Sequence, residues 1–115
     1  MSQASVPQAF LLWEDTLPQL FAKTSKFPKS ARFTFATRID NLALDLIEDL
    51  VEARFARRSR KAQVLERLDG RLSRLRVLVR IAFGQRLLDK GGYEHLQRRM
   101  DELGRMVGAW RQSVG

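Results

Sequence analysis

Apolar residues recur every three or four positions along nearly the whole chain, with only short Gly, Pro or Ser interruptions and no alternating run of strand type. The pattern predicts four helices. The first spans about Pro7 to Lys23, with Phe10, Trp13 or Leu17, Leu20 and Phe21 on one side; Pro7 suits a first helical turn. Pro18 lies inside it and predicts a kink or a break. The second spans about Ser30 to Phe55, where Ile39, Ala43, Leu46, Leu50 and Ala53 form the stripe. Leu42, Leu44, Ile47 and Val51 widen that face beyond what one helix pair needs.

The basic corner RFARRSRK, Arg54 to Lys61, offers Ser59 as an N-cap for a third helix of about Arg60 to Asp89, which the stop signal Lys90-Gly91-Gly92 should end. Its main stripe is Leu65, Leu68, Leu72, Leu75, Val79 and Ala82. At about 100° per residue, Val77, Leu78, Ile81 and Leu88 project to the other side. Such a second patch cannot face the same core, and predicts a subunit interface. Gly70 and Gly84 point in a similar direction, as if to admit another backbone. The fourth helix, about Tyr93 to Gln112, carries a seam of Tyr93, Leu96, Met100, Leu103, Val107 and Trp110, spaced alternately three and four residues apart. Four helices with short corners imply an all-α, antiparallel up-down-up-down bundle, one domain over residues 1–115.

Composition narrows the class. With 44% hydrophobic and 30% charged residues the chain is a folding, soluble one, and without cysteine it has neither disulfides nor thiolate chemistry. The N-terminal residues lack the basic and apolar regions of a signal peptide, and no apolar run reaches a transmembrane length, so a cytoplasmic location with no membrane partner is expected.

Catalysis has little to stand on. The one histidine, His95, falls at the edge of the fourth helix's seam, and a single His without Cys builds no His-rich metal site. Asp101 and Glu102 are adjacent and so point about 100° apart on a helix. Asp45, Glu48, Asp49 and Glu52 lack the paired Glu-x-x-His motifs of di-iron bundles; a salt-bridging face toward the third helix is the expected role. Gly104 and Gly108 have GxxxG spacing, here read as close helix packing within the bundle. No enzyme activity, metal or cofactor is expected.

Charge is the informative feature. Twenty-one Lys+Arg against 13 Asp+Glu leave a net charge of +8, which attracts a polyanion, nucleic acid above all. Candidate phosphate contacts are Arg54, Arg57, Arg58, Arg60 and Lys61 at one corner, Arg67, Arg71 and Arg74 along the third helix, and Lys26, Lys29, Arg32 and Arg38 in KFPKSARFTFATRI. For each arginine, pairing with acidic residues of the second helix across a subunit boundary is the competing reading. In the same stretch Phe27, Phe33 and Phe35 either stack on unpaired bases or, the favoured reading, plug the end of the bundle.

Two segments, FPKSARFTFATRIDNLALDLIEDLVEARF at Phe27 to Phe55 and YEHLQRRMDELGRMVGAWRQS at Tyr93 to Ser113, resemble the four-helix-bundle proteins grouped with 23S rRNA intervening-sequence proteins, and among them the Avd family of diversity-generating retroelements. Ala36 stands where many relatives carry glycine. The resemblance implies a basic bundle assembling into a homopentameric ring that binds a partner reverse transcriptase and RNA without being the polymerase itself. The expected function is thus a non-enzymatic, oligomeric accessory protein that binds nucleic acid, RNA or DNA, with RNA favoured. A protein-interaction scaffold, or a bundle that binds no nucleic acid, is the alternative.

Overall fold

In a computed structural model, which describes residues 7–114, the chain forms α1 (Gln8–Thr24), α2 (Thr37–Phe55), α3 (Arg58–Gly84) and α4 (Lys90–Val114). A helical turn, Lys29–Ala31, and a π-helical segment, Arg32–Ala36, lead without a break into α2. The reading of the N-terminus as no signal peptide rests partly on residues 1–6, outside the described residues. Each helix packs on the next and α4 returns to α1, as antiparallel neighbours joined by short corners must. At about 1.5 Å per residue, the 27 residues of α3 span about 40 Å and set the 47 Å long axis of the rod.

The expected stripes meet along the axis. Ile39, Ala43, Leu46, Leu50 and Ala53 of α2 face Leu65, Leu68, Leu72, Leu75, Val79 and Ala82 of α3, and Leu96, Met100, Leu103 and Val107 of α4 complete one buried cluster with Leu12, Trp13 and Leu20 of α1. Burial of such side chains contributes about 1.5–3 kcal/mol each, and this is the main force holding the bundle together. Trp13 also satisfies its indole N–H by donating to the carbonyl of Ala43, 2.9 Å away. α1 runs through Pro18 as one helix, so the expected break does not occur. The flanking turns are pinned by burial of Trp13, Thr16 and Leu20, and the Thr16 hydroxyl donates to the Leu12 carbonyl at 2.7 Å.

The π-helical segment has a physical cause. Counting back from Ile39, a regular helix would bring Phe35 and then Arg32 onto the buried face. The wider turn rotates the preceding residues, so that Ala31 enters the core and Arg32 reaches solvent. Thr37 caps the loosened turn by donating its hydroxyl to the Arg32 carbonyl at 2.9 Å. Of the three phenylalanines expected to plug the bundle end, Phe27 is buried and Phe35 packs on the core, but Phe33 is 79% exposed.

The ends of α3 also differ from expectation. It begins at Arg58, after Arg57 in extended conformation, so Ser59 lies in the first turn and is not its cap. It ends at Gly84 rather than Asp89: Arg86 adopts a positive φ of 64°, and the Leu87 N–H reaches back to the Ala82 carbonyl at 2.9 Å. The early stop turns Leu88 inward, where it is 7% exposed and part of the core; it does not belong to the outward patch with Val77, Leu78 and Ile81. Lys90-Gly91-Gly92, expected as a stop, is instead the first turn of α4, and Asp89 caps it by accepting the Gly92 N–H at 2.7 Å. Phe83 and Tyr93 stack across this corner with centroids 4.4 Å apart.

A candidate nucleic-acid interface on the α2–α3 face

Three of the candidate arginines are committed inside the protomer. Asp49 lies on the flank of α2 with its side chain 2% exposed, and its Oδ1 accepts from Arg67 Nε at 3.1 Å, Arg67 Nη2 at 2.8 Å and Arg71 Nη1 at 2.7 Å. Glu52, one turn on, takes Arg67 at 2.7 Å through Oε1 and Arg60 at 2.7 Å through Oε2. Hydrogen bonds from Arg67 and then Arg60 hold the Glu52 carboxyl below its ordinary range, and the same bonds, from Glu52 first and Asp49 second, push the Arg67 guanidinium up. The salt-bridging role expected of the acidic stretch is therefore filled by Asp49 and Glu52, within the chain rather than across a subunit boundary. Among the described residues, the buried Asp49 Oδ2 finds no hydrogen-bond partner.

Seven of the remaining nine candidates separate to the two ends of the rod. Arg54, Arg57, Arg58 and Lys61 sit at the α2–α3 corner, where Arg58 Nε donates to the Val114 carbonyl at 2.7 Å. Arg54 lies over the Phe55 ring at 4.9 Å and, with Lys61, lines a hollow beside Met106 and Trp110. Lys26, Lys29 and Arg32 sit at the opposite end, before α2. The 19 residues of α2 separate these groups by about 28 Å, so the twelve candidates do not make one patch.

Arg38 and Arg74 are brought together by the fold. They line a trough between α2 and α3 of about 580 Å³ with Asn41, Leu42, Asp45, Ser73, Val77 and Leu78. A second hollow, about 320 Å³, continues it through Arg38 and Leu78 to Phe33, Thr34, Phe35 and Ile81. The trough thus joins two cations with the outward patch, in which Val77 is 43% and Ile81 42% exposed. Among the described residues, neither Arg38 nor Arg74 forms an ion pair. Asn41 and Ser73 carried no signal of their own in the sequence; only the crossing of two helices makes them neighbours. Among the described residues, Gly70 and Gly84 have open space where a Cβ would project, as their outward direction predicted.

A family model described as bAvd-like matches residues 8–114, nearly the whole described chain. The chain belongs to the bAvd-like family. The Avd resemblance read from Phe27–Phe55 and Tyr93–Ser113 is thereby borne out at the level of family. None of the curated proteins compared with it matches.

Elsewhere in this bAvd-like bundle polar side chains bridge helices. His95 Nε2 donates to Gln19 Oε1, and Gln19 Nε2 donates to the Asp15 carboxylate at 3.0 Å, which also takes Arg99 at 2.9 Å. Burial first, then the cations Arg99, Lys23 and Arg98, lower the His95 pKa, against a smaller opposing pull from Asp15. The imidazole thus ties α1 to α4. Arg76 spans α3 and α4 by pairing with Asp101 and donating to the Met100 carbonyl at 3.2 Å. No group of three His, Cys, Asp or Glu able to hold a metal occurs among the described residues, and no helix there is long and apolar enough to cross a membrane.

Proposed function

We propose that this bAvd-like protein is a non-enzymatic accessory protein that binds nucleic acid, with RNA favoured, as a homo-oligomer in the cytoplasm, without a cofactor. The observation that carries this reading is the set of exposed cations that find no acidic partner among the described residues, Lys29, Arg32, Arg38 and Arg74, in a chain of net charge +8. Phosphates satisfy such groups by counterion release and need no base readout. Family membership supports an accessory role, and the Avd resemblance supports a pentameric ring and a reverse-transcriptase partner. Val77, Leu78 and Ile81 are the proposed subunit contacts.

Titration of labelled RNA with the protein over a range of salt tests this. Affinity should fall steeply as salt rises, and joint reversal of Lys29, Arg32, Arg38 and Arg74 to Glu should abolish binding while mass and helicity stay unchanged. Salt-independent binding, or binding that survives the reversal, overturns the assignment. The exposed apolar residues favour a second reading, a protein-interaction scaffold, under which light scattering finds one unchanged mass with and without RNA.

A further inference from the structure

We propose that the α2–α3 trough holds an unpaired stretch of nucleic acid, with a base stacked on Phe33 and the neighbouring phosphates held by Arg38 and Arg74. This rests on the nucleic-acid reading above, narrows it to a strand class, and sets the strand along the edge of the proposed subunit contact, whose Val77, Leu78 and Ile81 also line the trough and its continuation. Phe33 carries the argument. Phe27 and Phe35 are used by the core, yet Phe33, between them in sequence, is 79% exposed. It lies within the π-helical segment and shares a hollow with Arg38 of α2 and with Leu78 and Ile81 of α3.

The chemistry around Phe33 suits a single strand better than a duplex. A duplex keeps its base faces stacked and offers a side chain only edges and phosphates, whereas an unpaired base presents a π-face that an aromatic ring can cover. The segment from Lys26 to Arg38 holds four cations and no acid. Asp45, which lines the trough, repels a phosphate directly above it; Asn41 and Ser73 beside it offer donors and acceptors to a base edge. Phosphates are then placed at Arg38 and Arg74, and bases between them and over Phe33. An acidic protein segment would pair with the cations and cover the ring by apolar contact alone, without need of its π-face, and this is the difference that Phe33→Leu and Phe33→Trp separate.

Fluorescence anisotropy with a single-stranded RNA of about twelve nucleotides, and with a duplex of equal length at the same salt, tests the proposal. Phe33→Leu keeps apolar bulk but removes the π-face, and Phe33→Trp keeps it. Single-strand affinity should fall about tenfold in Phe33→Leu and be retained in Phe33→Trp, with duplex affinity and mass by light scattering unchanged in both. If the wild type binds RNA and Phe33→Leu alters neither form, the inference fails and the nucleic-acid reading stands. A change of mass in Phe33→Leu, or equal loss of both forms, assigns Phe33 to a subunit contact and overturns it. A wild type that binds neither RNA overturns both readings.

Discussion

Arg67 reaches from α3 to α2 and places one nitrogen, Nη2, 2.8 Å from Asp49 Oδ1 and 2.7 Å from Glu52 Oε1. The Asp49 end of this fork is buried and the Glu52 end is 40% exposed, so the two bonds differ in value. Breaking a buried pair by removing one partner costs about 3–5 kcal/mol, while exposed pairs contribute about 0–1. Because the Arg67 and Arg71 side chains are themselves 35% and 28% exposed, they can regain water when Asp49 is lost. Asp49→Ala should therefore destabilise the bundle by about 2–3 kcal/mol, and Arg60→Ala by about 0.5 kcal/mol or less. Urea denaturation of both variants checks the contrast; equal costs would show that burial of Asp49 adds nothing.

Stability should fall on acidification in two stages. His95 has a folded pKa below the ordinary 6.5, so its contribution is complete above that value and is lost as pH falls from there through the folded value, where only the unfolded chain gains the proton first. Glu52 is also depressed, below the ordinary 4.5; its contribution is present above that and is lost at lower pH, through the folded value. Asp40 runs the other way: burial raises its pKa above 3.8, against the smaller effect of the hydroxyl donated by Thr24, so protonating it relieves a cost. His95→Gln should flatten the stability profile in its first stage, at and below pH 6.5, and leave the later carboxylate stage in place. A profile unchanged by the substitution would sink the assignment.

Gly104 and Gly108 share a GxxxG spacing but not a surrounding. A Cβ on Gly104 would come 2.6 Å from Arg76 Nη2, whereas among the described residues nothing lies within 4 Å of one on Gly108. Gly108→Ala should stabilise the protein by about 0.5–1 kcal/mol through helix propensity. In Gly104→Ala the same gain is offset by displacement of the guanidinium from Asp101 and Met100, so the net change should be about zero or a loss of up to ~1 kcal/mol. Thermal melts of the two variants at equal concentration compare them directly.

Val77 and Ile81 are half-exposed on the outer face of α3, so a charge there needs no repacking of the core. Val77→Glu combined with Ile81→Glu should leave helicity intact and stability within about 1 kcal/mol for the isolated protomer. If these residues join subunits, the pair should shift the mass in light scattering to that of a single chain; an unchanged mass places the interface elsewhere.

The helical class, the four helices and the core stripes of α2, α3 and α4 were legible in the sequence, because a 3.6-residue period records which face of a helix avoids water. On α1 the expected face held Trp13 and Leu20 but missed Ala9 and Leu12, which are buried where Phe10, Leu17 and Phe21 are only partly so. The family was legible too, in two contiguous segments. Local signals near chain reversals were less decisive: Lys90-Gly91-Gly92 reads as a stop, yet Asp89 makes it a start, and Arg86 takes the left-handed position at the end of α3 that glycine more often fills. What only the tertiary structure decided is how the charges and aromatics are used. Periodicity places Arg67, Arg71 and Arg74 on one side of a helix, but the position of α2 makes the first two partners of Asp49 and leaves Arg74 in the trough with Arg38. It also separates Phe33 from Phe27 and Phe35, through a single widened turn that a residue pattern does not register. Helix faces follow from the order of residues along one chain segment; pairing and exposure depend on which segments lie side by side, and that is set by the packing of all four.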